Sequence, residues 1–421
     1  MGAPNIRNHM LKMFSSEDVG EIFSAVAIRE RARKVFDYVA AGKSNHFVID
    51  GTQLETTAKY VVEVIKENYP SLEVGHHSRW RHFVVKDRNY AQEILSTIKD
   101  PNEKLRVAIE MVITSVLLDA GAGNDWQFED KKSGEILNRS EGLAIASLAM
   151  FENGDFSSNE NSPFRADASA LENVTEDKIN KAFQASNSNP LVGASGRANL
   201  LRQIGKIVVS NEEVFGEEKD ARLGNLGDFL VNMSNNGKIS LHEVLKVILY
   251  TFSGIWNGKY VAERYNLGDT WEHPALLKEE KFSGMMPFHK LSQWLTYSLI
   301  EPLEEFGLEV TEIELLTGLP EYRNGGLFVD MDVIKWKDRS FPGPSLTPSS
   351  TAIIEWRALT VVLLDMLAVE VRRLLRKTEK DFPLTKVLEG GSWAAGRKIA
   401  KKLRPEDSRP PIQIVSDATV F

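Results

Sequence analysis

Residues 311–330, TEIELLTGLPEYRNGGLFVD, set Glu312, Glu314 and Glu321 ahead of Tyr322, Arg323 and an Asn-Gly-Gly turn that leads towards a strand. Hydrolysis of a glycosidic bond needs a carboxylate near the anomeric carbon, to activate water or to attack, and often an acid for the leaving group. The segment has those residue types. The same residues also read as scaffold, with Glu312 and Glu314 on a solvated helix and Tyr322 and Arg323 packing the turn.

Three further groups could carry chemistry. In LLDAGAGNDWQF, residues 117–128, Asn124, Asp125 and Trp126 follow a glycine-rich bend, so an amide, a carboxylate and an indole could clamp a sugar diol or a planar group. The alternative is a glycine helix stop, with Asn-Asp as turn formers and Trp126 in the core. In MMPFHKLSQWLTY, residues 285–297, Phe288 and His289 precede Lys290 and Gln293, which share a helix face suited to a phosphate or hydroxyl group, or form a solvated edge. Glu355 and Arg357 flank Trp356 and point to different faces of a helix. Arg357 and Asp365 share a face, and if buried each needs some other partner.

The elements that must position these groups are mostly helices. Asp100, Pro101 and Glu103 supply a cap, a first-turn proline and a capping-box acid for an apolar-periodic helix that runs into the 117–128 loop. Thr52 with Glu55, and Ser240 with Glu243, start two more. The longest helix spans 350–376 and ends in Arg372, Arg373, Arg376 and Lys377, which complement its dipole. Strand candidates are few and short: HFVIDG, GGLFVDMDVIKW and PPIQIVSDATVF. Residues 152–174, 186–195 and 338–350 read as loops. The expected fold class is mainly α (α+β with a few short strands), one helical globule over 1–421. It subdivides into 1–215, with the Asn-Asp-Trp loop, and 216–421, with Lys290, Glu312 and Tyr322-Arg323.

Composition narrows the functions. At 421 residues, 42% hydrophobic and 26% charged, the chain can bury a sizeable core, and its net charge of −8 lacks the basic field that nucleic acid or an anionic membrane attracts. The absence of cysteine excludes disulfides, thiolate metal sites and a Cys nucleophile. The N-terminus has no apolar run of signal-peptide length, and Glu110, Asp365 and Glu370 interrupt the most apolar stretches. The Gly-Ala-Gly of the 117–128 loop lacks the third glycine and preceding strand of a dinucleotide site, and no complete phosphate-loop, zinc-protease or calcium-loop pattern occurs. His76 and His77 are adjacent but have no spaced carboxylate partner, so they read as structural. No metal or cofactor is implied.

Taken together, LLDAGAGNDWQF, NPLVGASGRANLL, TGLPEYRNGGLFVD, EWRALTV, EGGSWAAGRKIA and PPIQIVSDATVF resemble the uracil-catabolism protein four family, catalogued as a domain of unknown function. The resemblance spans nearly the whole chain. It implies a cytoplasmic role in a pyrimidine-degrading route that opens the uracil ring while the ring is attached to ribose. FHKLSQ (288–293), Glu312 and EYR (321–323) followed by KWKD are similar, in order and spacing, to the queuosine-salvage nucleotide glycosylases, which cleave a ribosyl C–N bond with water. GNDWQF, NPLV and EWR also have counterparts there. Glu stands where that family has Asp at 312 and 321, Asn-Gly-Gly replaces Leu-Pro-Gln, and the segment 217–280 has no counterpart.

This second resemblance implies the glycosylase fold, with Glu312 as the carboxylate at the anomeric carbon and Glu321 or Asp125 assisting the leaving nitrogen. Lys290, Tyr322 and Arg323 would hold the sugar or its phosphate. Asn124 and Trp126 would face the ligand, with Phe288, His289, Gln293, Glu355 and Arg357 completing the site. The expected activity is hydrolysis of a nucleoside- or nucleotide-derived small molecule, ribosylurea or its 5′-phosphate, with no nucleic acid or membrane partner. Two alternatives are a non-catalytic ligand-binding or scaffold protein of the same route and an amidohydrolase on ureido compounds. Oligomeric state is not legible.

Overall fold

Helices dominate, and among the described residues the strands are two to four residues long and paired only in twos, so the protein is mainly α. The computed structural model describes residues 3–16, 19–119, 121–123, 125–256, 258–277, 282–338 and 345–415. Two compact units alternate along the chain: residues 1–15, 78–257 and 294–311 form one, and residues 16–77, 258–293 and 312–421 the other.

The first unit is built on the helix Pro101–Leu117. Asp100 accepts from the amide of Asn102 and Pro101 opens the first turn, as the local sequence signals. Every side chain from Val107 to Leu117 is buried, because Arg139–Glu152, Asn225–Met233 and Ile300–Phe306 all pack on this helix. The one acid among them, Glu110, is bound in two places by Arg222, at 2.7 and 2.6 Å, and by the amide of Gly224. Ser240 caps Leu241–Thr251 through the amide of Glu243, and Lys238–Ser240 pairs in parallel with Glu309–Thr311.

The second unit surrounds Thr351–Leu375, which buries residues along its whole length against Ala25–Ala40, Leu54–Asn68 and Tyr322–Asp330. Arg376 ends this helix in the left-handed conformation at φ 55°. Phe47–Ile49 pairs antiparallel with Ile334–Trp336, and Thr270–Glu272 with Met285–Pro287. Among the described residues no helix is long and apolar enough to cross a membrane.

Three local expectations change. The cap before Leu54–Asn68 is Asp50, whose side chain accepts from the amide of Thr52 and starts a tight turn at Gly51–Gln53. Residues 325–330, expected in a strand, belong to the helix Tyr322–Asp330, and only Ile334–Trp336 is extended. Glu321 caps that helix, and its glycines serve close packing: a Cβ on Gly325 would lie 2.8 Å from the Trp356 indole, whose N–H donates to the Gly325 carbonyl at 3.0 Å. Of PPIQIVSDATVF, the described part forms a single bridge, Leu346 with Ile414, and residues 416–421 lie outside the described residues.

Candidate functional site

The second unit gathers most of the residues singled out by type and spacing, and it does so around one that was not. Asp269, just before the strand Thr270–Glu272, accepts from both terminal nitrogens of Arg357, at 2.6 and 2.7 Å. It also accepts from the Trp271 indole at 2.8 Å and the Lys290 amide at 3.2 Å, while its carbonyl receives the amide of Phe288 at 2.9 Å. Burial pushes the Asp269 carboxyl up. The Arg357 charge and these hydrogen bonds outweigh that and hold it below the usual carboxylate range.

Arg357 is only 1% exposed, and its guanidinium does three things at once. It pairs with Asp269, donates to the carbonyl of Pro320 at 3.2 Å, and lies 4.0 Å from the centre of the Phe288 ring. The loop ahead of Glu321 and the turn ahead of Lys290 are therefore pinned to the long helix by one side chain.

His289 occupies that turn in the left-handed region, at φ 48°. It is buried against the edge of Phe23, and its Nε2 is 3.0 Å from the Ile22 carbonyl, so that nitrogen carries the proton. Burial brings its pKa down to about 4, which keeps the ring neutral. Gln293 is fully buried and committed to internal bonds: it donates to the Phe288 carbonyl and the Thr317 hydroxyl and accepts from the Thr317 amide at 2.9 Å. It positions the 311–321 segment against the Lys290 helix.

Glu321 begins the helix Tyr322–Asp330, where its carboxyl accepts from the amides of Arg323, at 2.7 Å, and Asn324. Burial raises its pKa. Those two N–H bonds and the nearby charges of Lys290 and Arg323 pull the other way without cancelling the rise. Arg323 is buried over the Tyr322 ring, 5.0 Å from its centre, and donates to the Ser408 carbonyl at 2.8 Å. Asn324, a second residue not foreseen, is fully buried, donating to the Leu319 carbonyl and accepting from Ser392.

Glu312 belongs to the same unit, exposed and left-handed at φ 58°, at the start of the tight turn Ile313–Leu315. A non-glycine residue held there costs energy, and such costs collect at functional sites. Glu355 faces elsewhere on the long helix, where it is buried and accepts from Ser44 at 2.6 Å, with His273 at 3.4 Å.

Asp125 and Trp126 belong to the first unit, and Asn124 lies outside the described residues. Asp125 is exposed. Trp126 is fully buried, with its indole N–H donating to the Phe183 carbonyl at 2.9 Å. His76 and His77 bond to Thr385 and Glu389, and among the described residues no group of three His, Asp or Glu side chains is placed to hold a metal ion.

A signal for Asp269 did exist in the sequence, since a buried Arg357 required an acid other than Asp365. Nothing local indicated which of many acids it would be. Asp365 itself pairs with Arg29 at 2.7 Å.

Two relatives align along almost the full chain. Protein urg3 of Schizosaccharomyces pombe is 39% identical over 417 residues, covering 97% of this chain and 100% of the relative. Uracil catabolism protein 4 of Lachancea kluyveri is 36% identical over 436 residues, covering 94% of this chain and 98% of the relative. The family model described as protein of unknown function (DUF1688) matches residues 21–421, and with every segment of the second unit's polar cluster inside that span, the chain belongs to the DUF1688 family.

Proposed function

We propose that this protein is an N-glycoside hydrolase of uracil catabolism, cleaving the ribosyl C–N bond of ribosylurea or its 5′-phosphate to give urea and ribose or ribose phosphate. The observation that carries this reading is Glu321, a carboxyl with a raised pKa, held between helix N–H groups and beside Lys290 and Arg323. A carboxyl that holds its proton to higher pH than an ordinary one is what the departure of a urea nitrogen calls for. The name of the Lachancea kluyveri relative supports the route, and the similarity of FHKLSQ and EYR to ribosyl-cleaving enzymes supports the reaction class.

In this mechanism Glu321 gives its proton to the leaving nitrogen as the C1–N bond breaks and the electron pair goes to nitrogen. The sugar passes through an oxocarbenium-like state stabilised by the Glu312 carboxylate. Water adds its oxygen to C1 and its proton passes to Glu312, and exchange with solvent resets both acids. Lys290 and Arg323 bind the sugar phosphate, Tyr322 packs on the sugar, and Phe288, His289, Gln293 and Arg357 fix the two loops in register.

The test is release of urea and reducing sugar by the purified protein from ribosylurea 5′-phosphate, with ribosylurea, uridine monophosphate and queuosine monophosphate alongside. Turnover of the ribosylurea pair that vanishes in Glu312→Gln, with ligand binding retained, is the expected result. No sugar from any of the four overturns the assignment in favour of a binding protein.

A further inference from the structure

The first unit holds a second polar cluster that the proposed reaction does not use. Arg79 is fully buried at the start of a tight turn, Arg79–Phe83. Its Nε donates to Ser115 at 2.7 Å. Its Nη1 meets Asp119 at 3.2 Å, His82 Nδ1 at 3.2 Å and the Ser140 hydroxyl at 3.2 Å. Its Nη2 is buried and has no hydrogen-bond partner among the described residues. The Trp294 ring centre lies 5.5 Å from the same guanidinium, and its indole Nε1 is likewise buried without a partner, in a residue only 8% exposed. Two orphaned N–H donors on adjoining side chains are rare, because each buried donor left unsatisfied incurs its full desolvation penalty.

A helix N-terminus adjoins the cluster. Ser140 lies in the first turn of Arg139–Glu152, a helix whose Asn138 cap makes no side-chain bond to its first amides. Asp119 is the carboxylate whose field reaches both Arg79 and the buried Arg197, with Glu141 a further, smaller influence on Arg79. Asp119 is 12% exposed and begins the loop that runs to Trp126, so the cluster reaches solvent through it.

We propose that Arg79 Nη2 and Trp294 Nε1 form a receptor for a small oxyanion of phosphate type, one oxygen-bearing group accepting from both donors. Asp119 satisfies the opposite side of the guanidinium and leaves this side for the ligand. The charged Arg79 Nη2 and the Trp294 indole N–H, with the other guanidinium nitrogens already engaged, suit the acceptor oxygen of an anion. This receptor stands on first-unit residues alone and is independent of the glycosidase reading.

The test is a titration of the full-length protein, labelled with ¹⁵N at its tryptophan indoles, with inorganic phosphate. Trp294→Phe keeps the ring, removes the donor and identifies the Trp294 resonance by its loss. The expected result is a saturable shift of that resonance, together with a phosphate-dependent rise in Tm. In Trp294→Phe the affinity read from that rise should be about tenfold weaker. Arg79→Lys should also lose the rise. A Trp294 signal that phosphate does not move, or one that exchanges only with water, overturns the proposal. So does a phosphate-dependent Tm rise that is the same in Trp294→Phe.

Discussion

Asp269 grips Arg357 through both carboxylate oxygens across 88 residues of chain, and both groups are almost excluded from water. The pair is the joint between the long helix, the turn carrying Phe288 to Lys290 and the loop carrying Pro320 to Arg323. Removing one charge strands the other in the interior. Asp269→Asn should therefore destabilise the protein by about 3–5 kcal/mol, lowering the urea midpoint, and Arg357→Met in the same chain should recover part of that loss. A double variant as unstable as the sum of the singles would show that the pair is not coupled.

His289 makes stability depend on acid. Its folded pKa of about 4 lies below the ordinary value of 6.5, so the unfolded chain takes up a proton across this window while the folded one refuses it. Stability is full above pH 6.5 and falls as pH drops towards 4, by an amount on the order of 3 kcal/mol at most. Asn accepts the left-handed backbone and carries no titratable group, so His289→Asn should flatten this dependence. Denaturant midpoints at pH 5 and 7 read it directly, and an unchanged difference between them would mean another group titrates.

What was legible in the sequence was what chemistry sets locally. Asp100, Pro101 and Glu103 announce a helix within a few residues of chain, and Pro101–Leu117 follows. Glycines were harder to read, because their reasons lie in other elements. Asn-Gly-Gly looked like a turn, but Gly325 is glycine since Trp356 and Thr360 press on it, inside a helix capped by Glu321. The candidate site shows the same division. Lys290, Glu312, Glu321 and Arg323 stand out by type, whereas Asp269 and Asn324 matter only through partners that folding brings near. Gln293, legible as a ligand-facing amide, spends its polar atoms on Phe288 and Thr317.

Gly396 tests how closely the helix Trp393–Leu403 must approach the start of the Glu321-capped helix. A Cβ there would fall 2.2 Å from the Arg323 carbonyl oxygen, and backbone cannot swing aside as a side chain can. Gly396→Ala should cost roughly 1–3 kcal/mol through strain. If catalysis uses Glu321 as proposed, kcat should also fall under conditions where the variant is fully folded. Wild-type stability in Gly396→Ala, measured by thermal unfolding, would remove the close approach as a constraint.

Glu321 links the proposed chemistry to a stability signature with a definite sign. Its folded pKa is raised above the ordinary carboxylate value, so its favourable contribution is fully present below the unfolded pKa and is lost as pH rises through the folded one. Glu321→Gln cannot ionise, and its amide oxygen can still accept one helix N–H. The variant should therefore gain stability relative to wild type as pH rises from the ordinary carboxylate value through the raised folded one. Its kcat on ribosylurea 5′-phosphate should fall by about 10²–10⁴, because the leaving nitrogen loses its proton source. In the wild type kcat/KM should decline as pH rises through the raised pKa, and Glu321→Gln should lose that limb. A variant with reduced activity but an intact limb would assign the acid to another carboxyl, and one whose relative stability does not rise with pH would show that the buried carboxyl ionises as easily as an exposed one.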